Sequence, residues 1–136
     1  MRSSPYSRFN PQFDREPLTA ALAAQNVAYP FLGNMLGGKP RGTDYLPEDG
    51  ARFSLIAETE QFRTALARLQ EEVWCRRTAI MCAEKDPMHC HRGLLICPNM
   101  PAGVAIHHIL ADGSIREHAE LDLPEWKDDT DEQCLF

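Results

Sequence analysis

The sequence predicts an α/β domain: a mainly parallel sheet flanked by helices, with one antiparallel hairpin strand at the C-terminal end. Three observations lead there. Short apolar runs of strand composition alternate with segments of helical period, and that alternation builds a parallel sheet covered by helices. Within residues 58–74, Phe62, Leu66, Leu69 and Val73 recur at helical spacing with charge between them. Asp112-Gly113, set between two apolar runs, is a strong hairpin signal.

In chain order, residues 1–13 carry no period, and Pro5 and Pro11 interrupt them. A helix is expected to start at Asp14, because Asp caps well, Glu16 suits the positive helix end and Pro17 fits the first turn. Leu18, Ala21 and Leu22 form its apolar stripe, and it stops near Asn26. Val27 to Leu32 has the length and composition of a buried strand, ended by Gly33. The Gly- and Pro-rich stretch 33–50 is an unusually long loop, and loops of that length tend to be functional. After the 58–74 helix, Thr78 to Met81 reads as a strand that delivers Cys82 at its C-terminal end. Residues 83–89 are turn-rich, and His91 to Met100 reads as a short helix stopped near Pro98 or Pro101. Gly103 to Leu110 reads as a third strand, joined by the hairpin to 114–121. The domain is thus expected over 1–121, with an acidic tail over 122–136.

The chain has 136 residues, 43% of them hydrophobic, which fits one domain with one core. A net charge of −6 argues against a basic coat over the whole surface, although the first 41 residues lean basic. No apolar run approaches the roughly 18 residues that span a bilayer, so no membrane role is expected. Five cysteines, an odd number, follow a start with no signal-peptide pattern; free thiols in a reducing cytoplasm are the expectation.

Chemistry concentrates in Cys82-Ala83-Glu84-Lys85-Asp86-Pro87-Met88-His89-Cys90-His91-Arg92. In an open parallel sheet, ligands bind beyond the carboxyl ends of the strands, which is where this loop is expected. A thiol beside helix amides and cations ionises easily, Arg92 offers a fork of donors to phosphate or carboxylate, and His89 and His91 move protons near neutral pH. Glu84 and Asp86 are candidate bases or orienting groups. Four readings stay open: a Cys82 or Cys90 nucleophile with a neighbouring His; a phosphorylated-ligand site with carboxylate acid–base chemistry; metal binding by Cys82, Cys90 and a His, which lacks the C-x-x-C spacing of a strong zinc site; and plain structure, with Cys82 a small buried hydrophobe, His91 a helix cap and Arg92 a partner of Asp86.

Elsewhere, Arg2, Ser4, Ser7, Arg8 and Asn10 form a candidate phosphate or nucleic-acid contact, with Tyr6 or Phe9 for stacking. Polar loop residues leading into the first helix are the plain alternative. His107 and His108 are adjacent on a strand and face opposite sides, so one is expected buried and the other free to approach the site. Cys75, Cys97 and Cys134 have no partner motif and read as packing residues.

Four segments together resemble the domain of unknown function 488 family of small bacterial and archaeal proteins: 2–13 (Arg-Ser-Ser-Pro-Tyr-Ser-Arg-Phe-Asn-Pro-Gln-Phe), Phe-Leu-Gly with Leu-Gly-Gly (31–38), the 82–92 loop with its Cys-x-Glu-x-x-Pro-x-x-Cys-His-Arg pattern, and His-Ile-Leu-Ala-Asp-Gly (108–113). The resemblance implies a Rossmann-like α/β sandwich but no established activity and no named cofactor; a DNA-repair label borne by some members is associational. It carries the recurring polar positions onto Arg2, Ser7, Asn10, Cys82, Glu84, Cys90, His91, Arg92 and His108. Family members begin with a further strand and helix, so this chain is expected to lack them, through a late start codon or true truncation, and to be poorly stable alone.

The leading expectation is an enzyme, or former enzyme, acting on a nucleotide-like or phosphorylated substrate. The catalytic candidates are Cys82, Glu84, Cys90 and His91, and the ligand-binding candidates Arg2, Ser7, Arg8, Asn10, Arg92 and His108. The alternative is a non-catalytic nucleic-acid- or protein-binding module. Gln133-Cys134-Leu135-Phe136 resembles a sliding-clamp peptide one residue short; packing of Leu135 and Phe136 on their own domain is the preferred reading.

Overall fold

The computed structural model describes residues 4–39 and 51–122. Its regular elements are helices α1 (Arg15–Ala23), α2 (Gly33–Leu36), α3 (Ala51–Glu58) and α4 (Glu60–Cys75), and strands β1 (His107–Ile109) and β2 (Ile115–Glu117). Short 3-10 turns occupy Pro11–Phe13, Pro87–His89, Cys97–Asn99 and His118–Glu120, and a π-helical turn spans Arg92–Ile96. The architecture is α/β, rich in helix, with a two-stranded antiparallel sheet.

Helix α1 begins at Arg15, next to the Asp14 near which the sequence placed its start, with Glu16 in the first turn and Leu18 buried. Asp14 does not cap its own helix. Its Oδ1 accepts from the Ser7 backbone N–H at 2.6 Å, and the Arg15 N–H donates to the Pro5 carbonyl at 3.1 Å. Those two bonds fold the leading segment against the helix start. The helix ends ahead of Asn26, whose φ of 56° is left-handed, a conformation Asn tolerates.

The predicted stripe of α4 is its buried face: Phe62, Ala65, Leu66 and Leu69. Thr59 caps it, its Oγ1 accepting from the Phe62 N–H at 3.2 Å, which satisfies one of the free amides of the first turn. The same Thr, with φ −67° and ψ 140°, separates α4 from α3. Helix α3 was not legible in the sequence. It is eight residues long, too short to hold itself together, and it forms because Ile56, fully buried, packs against α4 and the π-helical turn. The core therefore joins α2, α3, α4 and the π turn through Leu32, Leu36, Ile56, Phe62, Ala65, Leu66, Leu69, Leu95 and Ile96. Polar ties reinforce it: Gln61 Nε2 donates to the Asn34 carbonyl and Gln70 Nε2 to the Asn99 carbonyl, each at 3.0 Å.

The mainly parallel sheet does not form among the described residues. Runs 27–32 and 78–81 have strand composition but no strand pairing. A strand is stabilised by a ladder with a neighbour, and neither run has one here. Leu32 instead leads into α2, which starts at the Gly33 expected to end a strand, and Ile80 packs on the core without a sheet. The third predicted strand shrinks from 103–110 to β1. The hairpin is as predicted: β1 pairs antiparallel with β2, His108 opposite Arg116. Its turn uses Gly113 at φ +83° and Asp112 Oδ1, which accepts from the Ser114 N–H at 2.9 Å. Among the described residues, no helix is long and apolar enough to cross a membrane. Segment 40–50, the tail 123–136 with Gln133–Phe136, and Arg2 lie outside the described residues.

Candidate functional site

The 82–92 loop turns twice, and its turns decide where the sulfurs go. Asp86 caps the first: its Oδ1 accepts from the Met88 N–H at 2.8 Å, with Pro87 opening the 3-10 turn, and its Oδ2 meets His89 Nδ1 at 3.1 Å. The Met88 amide, then His89, hold the Asp86 carboxyl below its ordinary range. Cys90 then lies extended, and His91 enters the π turn. Cys90 Sγ takes the place of a capping oxygen and accepts from the Arg92 N–H at 3.5 Å. The Arg92 side chain folds back across the loop, Nε donating to Cys90 Sγ at 3.1 Å and Nη2 to the Glu84 carbonyl at 2.7 Å. The guanidinium thus clasps both ends of the loop.

The clasp brings three reactive groups together. His91 Nδ1 lies 3.8 Å from Cys82 Sγ and 3.7 Å from Cys90 Sγ. Cys90 is 1% exposed, while Cys82 is half-buried and open to a reagent. The two sulfurs are linked by a hydrogen bond. The Cys90 thiol donates to Cys82, and with His91 and the Glu84 amide it holds the Cys82 thiol far below its usual range, against the opposing effect of burial. Cys90 is pushed upward, because its thiol donates a hydrogen bond to Cys82 and is buried, although Arg92 pulls the other way. The two thiols interact, so they titrate as a pair. Gly38 backs the arrangement: a Cβ placed there would lie 3.4 Å from the Cβ and Cγ of His91. Gly38 thereby lies against the imidazole.

Of the predicted catalytic residues, Cys82, Cys90 and His91 converge. Glu84 takes part through its backbone, and its side chain is exposed. Arg92 serves Cys90 Sγ and the Glu84 carbonyl and is not the partner of Asp86. Ser7, Arg8 and Asn10 belong to the segment folded on α1: Ser7 Oγ accepts from the Asn10 N–H at 3.1 Å, and Arg8 stacks on Phe9 at 5.6 Å. His107 is exposed and His108 buried, the alternation expected of a strand. His108 Nε2 lies 2.9 Å from His118 Nδ1. Burial holds both imidazoles below the ordinary His range, and His108 is lowered further by His118 and Arg92.

His118 and Cys97 were missed as site residues. Burial pushes the Cys97 thiol up to about 11, against the pull of Arg92. Donor atoms of Cys97, His108 and His118 lie within 4.8 Å of one another, as do those of Cys82, Cys90 and His91. The only signal in the sequence was the type of residue. Twenty-one positions separate Cys97 from His118, and no spacing rule links a helix-end Cys to a hairpin.

No curated protein and no solved structure matches the chain. Residues 1–97 match a family described as Domain of unknown function DUF488. That match takes in the 82–92 loop and Cys97 and spans well over half of the sequence, so the chain belongs to the DUF488 family.

Proposed function

We propose that the 82–92 loop is a thiolate-centred active site, with Cys82 as nucleophile toward a phosphorylated or nucleotide-like substrate. One observation carries this reading: a half-exposed sulfur backed by a buried thiol and an imidazole nitrogen 3.8 Å away. A nucleophile with its proton partner in reach is the arrangement that covalent catalysis needs. In the reaction, Cys82 Sγ forms a bond to the electrophilic atom as the bond to the leaving group breaks. The leaving group takes the proton held by Cys90, with His91 stabilising the exchange. Water then supplies hydroxide to the bound group and a proton to Cys90, freeing Cys82. Arg92, a half-buried guanidinium beside the sulfurs, favours an anionic substrate.

Site-resolved alkylation tests the proposal. With iodoacetamide at about pH 6, where an ordinary thiol is almost wholly protonated, Cys82 is expected to label first and fastest. Slow labelling of every cysteine, rising only near about pH 8.5 as for a free thiol, refutes the nucleophile.

A second reading, a nucleic-acid-binding module, is favoured by Phe9, which is 82% exposed with Arg8 stacked on it. Exposed rings and cations suit unpaired bases. Titration with labelled single-stranded DNA and RNA across salt separates the two: tight binding with a steep salt slope supports the module, and no binding removes it.

A further inference from the structure

We infer that Cys97, His108 and His118 form a binding site for a divalent transition metal of the zinc class, separate from the thiolate loop. The three donor atoms, one sulfur and two imidazole nitrogens, lie within 4.8 Å of one another. In a tetrahedral zinc site, bonds of about 2.0–2.3 Å place donors about 3.3–3.6 Å apart. The two imidazole nitrogens stand 2.9 Å apart, so a small opening of the pair makes room for the ion. One thiolate with two imidazoles is a borderline-soft set, which suits zinc better than calcium or magnesium.

The sulfur triad in the loop is the weaker cation site, although its donors are also close. There Cys90 Sγ already accepts two N–H groups from Arg92, at 3.1 and 3.5 Å, and the guanidinium charge touches it. Arg92 acts on Cys97 and His108 through its charge, while it donates hydrogen bonds to Cys90 Sγ and the Glu84 carbonyl. His118 also borders a cavity of about 280 Å³ lined by Val104, Ile106, His107 and Glu117. Three protein ligands leave a fourth position for water or a small anion.

The placement explains what the metal would do. A two-stranded hairpin by itself is marginal in water, and Ile109 and Ile115 are exposed on this one. A metal bridging Cys97 to both arms of the hairpin would staple it to the end of the π turn.

Titration of tag-free, metal-stripped full-length protein with Co²⁺, followed by competition with Zn²⁺, tests the site. The expected result is one Co²⁺ per chain, with tetrahedral visible bands and a sulfur-to-cobalt charge-transfer band that Zn²⁺ abolishes. The charge-transfer band should vanish in Cys97→Ala and the visible bands weaken in His118→Gln. Both should persist in the double variant Cys82→Ser/Cys90→Ser. Circular dichroism checks that each variant is folded, and His118, at the half-exposed end of the hairpin, gives a readout if Cys97→Ala is not. Absence of a charge-transfer band in the unmodified chain, its survival in Cys97→Ala, unchanged visible bands in His118→Gln, or its loss in the folded loop double variant would each overturn the inference.

Discussion

Replacing Cys90 with alanine is expected to raise the pH at which Cys82 becomes reactive. The Cys90 thiol is 1% exposed and is the first of the groups that hold the Cys82 thiol down. A hydrogen bond to a charged group contributes about 1.5–3 kcal/mol. Cys82 is only half-buried, so water replaces part of the lost bond and the lower end applies. At about 1.4 kcal/mol per pKa unit, the midpoint should move up by about one unit. The sign follows from which form the bond favours: Cys90 donates to the Cys82 thiolate, so its loss favours the protonated sulfur. The assay is the rate of iodoacetamide alkylation against pH, with the modified peptide identified by mass spectrometry. Cys97→Ala, in a buried thiol outside the loop, should leave the midpoint unmoved. A midpoint that stays put or falls in Cys90→Ala refutes the hydrogen bond from Cys90 to Cys82.

Three further outcomes check the geometry around the site. Gly38→Val should displace His91, because a Cβ alone already reaches contact at 3.4 Å and branched methyls reach further; Cys82 alkylation at about pH 6 should slow while the circular dichroism spectrum is kept. Ile96→Ala removes a fully buried side chain beside the loop and should cost about 2–5 kcal/mol in chemical denaturation; a loss below about 1 kcal/mol would mean that the π turn is not part of the core. Thr59→Ala deletes the cap on Phe62 N–H and should cost about 1 kcal/mol, read as a lower midpoint in urea.

The sequence alone determined what depends on near neighbours. The start of α1 next to Asp14, the buried face of α4 and the Asp112-Gly113 hairpin all rest on contacts within a few residues or one helical period, and periodicity reports those directly. It also determined that Cys82, Cys90, His91 and Arg92 belong to one loop, since they are close along the chain. Tertiary structure decided the rest. Whether 27–32 and 78–81 pair depends on neighbours brought from elsewhere, and strand composition is silent about them. Helix α3 exists because Ile56 has α4 and the π turn to pack on. Arg92 is an anion-binding fork by sequence, yet its nearest acceptors turned out to be Cys90 Sγ and the Glu84 carbonyl, because the double turn of the loop folds the side chain back. Cys97, His108 and His118 meet only because the hairpin returns to the end of the π turn, a proximity that no local pattern records.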